Sequence, residues 1–217
     1  MARRTLTPVT GADNGRIENA ERLRAVVGEP VPGMDLKVWD KVVPEAQTYI
    51  ARSPFLVFST ADANGNVDAS PKGDDPGFVV VEDEETLLLP DRPGNRLAFG
   101  LHNILENPHV GILFMIPGTT ETLRVNGTAE LLDDPALLDR LSARGKPAVL
   151  VIRVSVDECF FHCSKAFIRS KLWKPDSWPE KQKISFGKMF ADRFDADDES
   201  LPATIDAMVE EDYRTNL

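Results

Sequence analysis

The sequence predicts an α+β fold in which short antiparallel strands close into a small barrel and helices lie outside it. Three observations support this prediction. Apolar, strand-like runs occur in pairs, and each pair is joined by a short polar turn. Helical patterns fall between some of these pairs and at both ends of the chain. A further long alternating run occupies residues 147–162.

Three hairpins are expected in order along the chain. Each has an apolar run on both sides of a turn rich in Pro, Gly, Asn, Asp or Glu. The hairpins cover residues 55–70, 77–90 and 109–132, with turns at 62–65, 83–85 and 117–120. A short helix after the third hairpin is expected to begin at Asp134, because an aspartate is a preferred N-cap.

The ends of the chain are predicted to be helical extensions. Residues 1–15 form a polar start, and residues 16–51 show a mostly helical pattern that is broken at 28–35, with Pro44 among the periodic positions. The tail after Ile184 is acidic and is expected to be a solvated helical extension. The predicted domains are therefore an N-terminal extension (1–50), a barrel domain (51–180) and a C-terminal extension (181–217).

Composition argues against several classes of partner. The formal net charge is −10 and the isoelectric point about 4.8. General nucleic-acid binding and binding to an anionic membrane surface both need basic surface, so neither is expected. No stretch approaches about 18 apolar residues, so no transmembrane helix is predicted. No apolar run follows the N-terminal arginines as it would in a secretory signal, and a cytoplasmic location is expected.

A candidate anion site lies where the run 87–90 passes through a turn into an amphipathic helix. Asn95 is expected to be the N-cap, which makes Arg96 the first helical residue. A helix N-terminus offers unpaired N–H groups and a partial positive charge. Gly94 would let a ligand approach the backbone, and Arg92 and Arg96 would add full charges, so the segment fits a phosphate site. An ordinary helix start with solvent-facing arginines fits the residues equally well.

Two strand segments supply further candidates. Ser70, Lys72 and Asp74 alternate, so they share one face if the strand extends that far, and Lys72 could donate to a phosphate or to a ring carbonyl. An exposed loop is the alternative. In the run 123–131, Arg124 and Asn126 are expected on the face opposite Leu123 and Val125. Arg124 therefore either lines a pocket or points outward, and periodicity does not decide between these.

The segment around Cys159, His162 and Cys163 does not predict a metal site. Structural zinc needs four ligands, and no second pair of suitable residues is present. Both cysteines are expected to be buried small apolar residues. Seven lysines and arginines occur between residues 165 and 188 in a chain that is acidic overall. This local reversal of charge fits an anion pocket, a partner contact or a solvated helix face.

Three stretches carry a resemblance to a known family. "FSTADANGNVDASPKGD", "LLLPDRPGNRLAFGLHNILENPHVGILFMIPG" and "LRVNGTAEL" resemble the pyridoxamine 5'-phosphate oxidase-like family of FMN-binding split β-barrels. The likeness extends over residues 51–179 and is strongest to a bacterial branch in which "SPKGD", "PDRPGNR" and "FIRSxLW" motifs occur together. It implies a six-stranded split barrel, a homodimer and FMN at the subunit interface.

The resemblance also implies cofactor-binding residues. In this family a strand that ends in a lysine runs under the flavin, which corresponds here to Ser70, Pro71 and Lys72. A turn and helix start after the next hairpin bind the phosphate, which corresponds to Asn95 and Arg96. The opening of that helix is thus expected to hold the FMN phosphate.

Four more cofactor-binding residues follow from the same resemblance. The strand containing "RVNG" is similar to the family strand whose arginine faces the active site, which makes Arg124 a candidate. Residues from the partner chain usually close over the flavin, and Lys165, Arg169 and Trp173 are the candidates for this role.

The expected function is that of an FMN-dependent oxidoreductase acting on a small molecule, with catalytic residues unassigned. The C-terminal "FWxG…RLHxR" pattern of authentic pyridoxamine-phosphate oxidases is lost after residue 161, so oxidation of vitamin B6 phosphates is not predicted. One alternative is a flavin-binding sensor or storage protein without turnover. Another is the same fold with haem or a deazaflavin. Haem would require an axial ligand such as His102, His109 or His162.

Overall fold

A computed structural model describes residues 15–194 and 198–216. The chain divides into two compact units, Met1–Lys37 and Val38–Leu217. The predicted polar start of the chain lies, apart from Gly15, outside the described residues. The proposed division into residues 1–50, 51–180 and 181–217 stays a prediction.

The first unit contains one short α-helix and one 3-10 turn in its described part. Helix α1 is Ala20–Val27, and the 3-10 turn is Met34–Lys37. Asn19 caps α1, because its side chain accepts a hydrogen bond of 2.8 Å from the backbone N–H of Arg22. The left-handed Gly28 then ends the helix. The break predicted at residues 28–35 is thereby confirmed.

The second unit is built on one antiparallel sheet of seven strands. Its order is β2-β1-β5-β6-β7-β4-β3, so the three predicted hairpins are present as β1/β2, β3/β4 and β5/β6. The strands are β1 Phe55–Ala61, β2 Val67–Gly73, β3 Val80–Asp83, β4 Thr86–Asp91, β5 His109–Met115, β6 Thr122–Leu132 and β7 Leu150–His162.

The prediction of an α+β fold with a mainly antiparallel sheet and flanking helices is confirmed, but the expected count of six strands is wrong. The additional strand is the four-residue β3, which pairs only with β4 at the end of the sheet. Its pairing with β4 shifts in register between Val81 and Asp83, next to the turn that joins the two strands.

Six helices belong to this unit, within the part of the chain that the structure describes. They are α2 Pro44–Arg52, α3 Phe99–Glu106, α4 Pro135–Arg140, α5 Lys165–Ser170, α6 Phe186–Phe194 and α7 Leu201–Thr215. Pro44 occupies the first turn of α2, where its missing N–H costs no hydrogen bond, so it starts the helix instead of interrupting it. Asp134 caps α4 as predicted and accepts from the N–H of Leu137 at 2.9 Å.

The start of α3 differs from the prediction. The helix begins at Phe99, and neither Asn95 nor Arg96 belongs to it. The Asn95 side chain accepts from the N–H of Leu97 at 3.0 Å, which is the local bond that an N-cap would also make. Arg96 (φ 59°) and Ala98 (φ 54°) are left-handed, so a right-handed helix cannot form until both have been passed.

The main hydrophobic core lies on one face of the sheet, and a smaller buried cluster of Leu88, Leu141, Ala148 and Val151 is separate from it. Alternate residues of β1 and β5 point into it, among them the fully buried Phe58 and Phe114. Helices α2 and α3 cover this face with Ile50 and Ile104. Each such side chain contributes about 1.5–3 kcal/mol through removal of apolar surface from water.

The two cysteines lie in different environments. Cys159 is fully buried in β7, and desolvation raises the pKa of its thiol to about 11. Cys163 follows the end of β7 and is exposed, so the prediction that both cysteines are buried is wrong for Cys163. The alternating pattern that buries Cys159 stops with the strand at His162.

Thiol labelling of the native protein should therefore stop at one site. We expect a maleimide at neutral pH to modify Cys163 and leave Cys159 unmodified, because only an accessible thiolate reacts at a useful rate. Mass spectrometry of the labelled protein measures this, with the urea-unfolded protein as the control that gains two adducts. Rapid labelling of Cys159 in the native state would contradict the buried position.

Candidate functional site

A cleft of about 920 Å³ lies beside the ends of β2 and β4. Its walls are β2 from Asp68 onward, the loop from β4 into α3, the first turn of α3 and the loop from α4 into β7, with Phe58 and Phe78 also contributing. Asn216, beyond the end of α7, also borders it. A volume of this size is in the upper part of the range of small-molecule and cofactor sites.

Strand β2 borders the cleft with residues of both its faces, and its half-buried face is polar. Asp68, Ser70 and Lys72 are half-buried, whereas Ala69 and Pro71 between them are exposed. The prediction that Ser70 and Lys72 share a face is confirmed, since a strand points every second side chain the same way.

Lys72 is held by a carboxylate from the opposite wall of the cleft. Its Nζ lies 2.5 Å from Oδ1 of Asp91, and both side chains are less than one-fifth exposed. Asp91 is the last residue of β4, which is separated from β2 by four other strands in the sheet order. The ion pair therefore joins the edge strand β2 to β4, the strand next to the opposite edge of the sheet.

A second ion-pair cluster lies directly beside the first. Asp74, whose side chain is 2% exposed, accepts from Arg92 Nε at 2.8 Å and lies 3.0 Å from Arg144 Nη2. Arg92 also donates through Nη1 to the carbonyl of Leu141 at 2.9 Å. These contacts occupy Arg92, which corrects its expected role as a cation available to an anionic ligand.

Asp74 stays ionised at neutral pH. Burial by itself would raise the pKa of this carboxyl group, but other interactions outweigh burial and lower it. They are the hydrogen bond from the backbone N–H of Asp75, the hydrogen bond from Arg92 and the positive charges of Arg92 and Arg144. The buried carboxylate is thus compensated by two guanidinium groups.

Among the described residues of the cleft wall, Arg96 is the cation that lacks a partner. Within residues 15–194 and 198–216 its guanidinium makes no hydrogen bond or ion pair, unlike those of Arg92 and Arg144. It precedes the N-terminus of α3, where Ala98 provides no side-chain cap for the first N–H groups. An unpaired guanidinium beside uncapped N–H groups favours an anion such as a phosphate.

The first turn of α3 packs closely on the strands next to it. A Cβ added to Gly100 would lie 3.3 Å from Oδ2 of Asp68 and 3.5 Å from Oγ1 of Thr60. One turn further along, Asn103 Nδ2 donates to Thr60 Oγ1 at 2.9 Å. These contacts fix the helix start relative to β1 and β2.

Five of the nine predicted cofactor-binding residues therefore line this cleft, and four lie elsewhere in the same chain. The five are Ser70, Pro71, Lys72, Asn95 and Arg96. Arg124 points outward from β6, with its guanidinium carbon 5.5 Å from the centre of the Phe160 ring. Lys165 and Arg169 are exposed on α5.

Trp173 takes part in a local structural contact. Its Nε1 donates to the carbonyl of Thr119 at 2.8 Å, and its ring stacks on Phe167 at 5.7 Å. These contacts attach the segment after α5 to the tip of the β5/β6 hairpin. Whether Arg124, Lys165, Arg169 and Trp173 reach a cofactor stays a prediction that requires a second chain.

Several residues of the cleft were not identified from the sequence. Asp68 shares the face of Ser70 and Lys72, so strand alternation alone would have found it. Asp91 and Arg144 carry no comparable signal, because their partners are 19 and 70 residues away in the chain. Long-range ion pairs of this kind become visible only when the sheet order is known.

The described residues form neither a metal-binding cluster nor a helix suited to span a membrane. They contain no group of three or more His, Cys, Asp or Glu side chains arranged to hold a metal ion. In the same part of the chain, none of the helices combines the length and apolar character needed to cross a membrane.

The antiparallel sheet with helices packed on it is that of a small barrel protein, and sequence comparison gives the family. The family model described as pyridoxamine 5'-phosphate oxidase matches residues 42–163, more than half of the chain. The protein belongs to this family, and its sheet is the split barrel that the sequence motifs predict. Comparison with curated proteins gives no match.

Solved structures with a similar fold differ in what they bind. An FMN-binding protein of Syntrophomonas wolfei is 13% identical, with 56% of this chain and 86% of that chain covered and a TM-score of 0.46. HupZ of Group A Streptococcus is 20% identical (55% and 93% covered, TM-score 0.45). The haem storage protein HutZ of Vibrio cholerae is 16% identical (56% and 94% covered, TM-score 0.38). At these TM-scores the likenesses carry no argument about the ligand.

Proposed function

We propose that the protein is an FMN-binding flavoprotein that acts as an oxidoreductase on a small molecule. The observation that carries this proposal is the cleft, in which the polar face of β2 and the unpartnered Arg96 beside the start of α3 meet. Membership of the pyridoxamine 5'-phosphate oxidase family supports it.

The residues of the cleft fit FMN chemically. FMN has a flat ring with polar edges at one end and an anionic phosphate at the other. Arg96 and the uncapped N–H groups of α3 suit the phosphate, while Ser70 and Lys72 on β2 offer donors to the carbonyl oxygens of the ring. Bound FMN would supply the hydride or electron transfer.

In this proposal the side chains of the protein bind FMN and orient it. Arg96 neutralises the phosphate and sets the direction in which the ligand enters. Asp91 holds the Lys72 ammonium at the cleft wall through their 2.5 Å contact, so the donor is in position before the ligand arrives. The apolar lining residues Phe78 and Leu101 exclude water from part of the cleft. No acid or base is assigned.

The assembly and location are also proposals. We infer a homodimer with FMN at the subunit interface, in which Arg124, Lys165, Arg169 and Trp173 approach the flavin of the other chain. Lys165 and Arg169 are exposed, as such a role requires. A cytoplasmic location and a small-molecule electron donor complete the proposal, and the acidic net charge supports the absence of nucleic-acid partners.

The visible spectrum of the purified protein tests the proposal, together with mass spectrometry of any small molecule that heat releases. Flavin absorbance and released FMN are the expected results. A haem spectrum or a released deazaflavin would replace FMN with the corresponding cofactor. A colourless protein that also fails to take up added FMN would overturn the proposal.

Activity is tested separately from binding. Steady-state assays of the FMN-loaded protein with reduced nicotinamides and amines as electron donors should give turnover if the protein is an oxidoreductase. Binding of FMN without turnover on any donor would instead indicate a flavin sensor or storage protein.

A further inference from the structure

Two ion pairs connect the end of β4 with the end of β2 across the cleft. Asp91 pairs with Lys72, and Arg92 pairs with Asp74. Four strands separate β2 and β4 in the sheet order, so the backbone ladder does not join these two ends directly. The side-chain ion pairs therefore hold together the part of the barrel where the cleft opens.

Asp74 is the centre of this connection. It lies just after β2, and its nearly buried carboxylate contacts Arg92 in the loop after β4 and Arg144 in the loop after α4. Arg92 additionally donates to the carbonyl of Leu141. A single carboxylate thus ties three walls of the cleft to one another.

The loop between β4 and α3 depends on this attachment. It contains Gly94 and the two left-handed residues Arg96 and Ala98. The Asn95 side chain only accepts a hydrogen bond from the N–H of Leu97, within the loop itself. Among the described residues, Arg92 makes the side-chain bonds that join the loop to other elements, to Asp74 and to the carbonyl of Leu141. Arg96 follows four positions later, so the position of its guanidinium depends on the anchor.

We propose that Asp74 is a positioning residue, which fixes Arg96 for the phosphate of the ligand by holding Arg92. This inference rests on the proposed binding of FMN. It assigns no direct contact between Asp74 and the ligand. It also separates the arginines of the cleft into two kinds: Arg92 and Arg144 hold the walls in place, whereas Arg96 binds the anion.

The test compares two ligands that differ only in the phosphate. Riboflavin has the ring and ribityl chain of FMN but no phosphate. Asp74→Asn keeps the shape of the side chain and removes its charge, so we expect FMN affinity to fall on the order of tenfold, as for other partners that orient a binding group. Riboflavin affinity should stay unchanged, so the ratio of the two affinities falls.

Glu82→Gln is the matched control. Glu82 pairs with Arg140 at 2.8 Å in a more exposed ion pair outside the cleft, so the same chemical change occurs without touching the loop. We expect its ratio of FMN to riboflavin affinity to equal that of the wild type. Thermal unfolding of each variant shows whether stability changes independently of the ratio.

The outcomes separate this inference from the proposed function. Suppose that the wild type binds FMN. If Asp74→Asn weakens the binding of FMN and riboflavin equally, or weakens the binding of neither, Asp74 has no positioning role. The inference is then overturned, while FMN binding stands. A wild type that binds neither ligand overturns both. If Asp74→Asn does not fold, Arg92→Gln removes the other side chain of the pair, and an unchanged ratio in that variant overturns the inference.

Discussion

Replacing Arg96 with glutamine is expected to weaken FMN binding by on the order of 10- to 100-fold. Hydrogen bonds to charged groups contribute about 1.5–3 kcal/mol, and each 1.4 kcal/mol corresponds to about tenfold in affinity. Arg96 should contribute this amount because no other group in the described part of the chain engages its guanidinium, so no internal ion pair is lost when it binds a phosphate. Titration of the apoprotein with FMN, followed by flavin fluorescence, measures the change.

Two controls make the Arg96 result specific. Arg140→Gln also removes one positive charge, but from the exposed pair with Glu82 outside the cleft, and it should leave FMN affinity unchanged. Riboflavin should bind Arg96→Gln as well as it binds the wild type, because the lost partner is the phosphate. An FMN affinity in Arg96→Gln equal to that of Arg140→Gln would remove Arg96 from the binding site.

Replacing Gly127 with alanine is expected to destabilise the barrel by about 3 kcal/mol or more, at the upper end of what overpacking costs. Gly127 lies in β6 at the register shift opposite β7. A Cβ there would lie 2.0 Å from the carbonyl oxygen of Ser155, a backbone atom that cannot rotate away. Strands β6 and β7 would have to separate at this point, which should lower the midpoint of thermal unfolding by roughly 6–12 °C.

Gly94→Ala is the matched control for this change. It adds the same methyl group, but an added Cβ at Gly94 meets nothing within 4 Å, and its backbone is not in the left-handed region. We expect its thermal midpoint to stay close to that of the wild type. Equal midpoints for the Gly127 and Gly94 variants would show that β6 and β7 have more space at the bulge than the structure indicates.

Local patterns predicted most of the fold. Alternating apolar residues and turn residues identified the three hairpins, and Asp134 marked the start of α4, because each of these signals acts over a few residues. The signal failed at Asn95, where the same side-chain bond to a nearby N–H serves a helix cap or an isolated turn. Because Arg96 and Ala98 are left-handed, the segment forms a turn and not the start of a helix. Neither arginine nor alanine is a residue type that indicates a left-handed conformation.

The candidate site was predictable in part. Ser70 and Lys72 were identified by strand alternation together with family motifs. Arg96 was identified as the expected first residue of a helix, although the helix begins at Phe99. The pairing of Asp74 with Arg92 and Arg144 was not, because it depends on where β2 and β4 meet around the barrel. The close approach of Gly127 to Ser155 likewise depends on the register of β6 against β7, which residue periodicity does not specify.

A crystal structure of the protein with bound FMN is the decisive test of the proposed site. We expect the phosphate to lie within about 3.2 Å of the Arg96 guanidinium, at the start of α3, with the ring along the polar face of β2. The Lys72–Asp91 and Asp74–Arg92 pairs should remain in place. A phosphate bound elsewhere, with Arg96 directed into solvent, would show that Arg96 does not hold it.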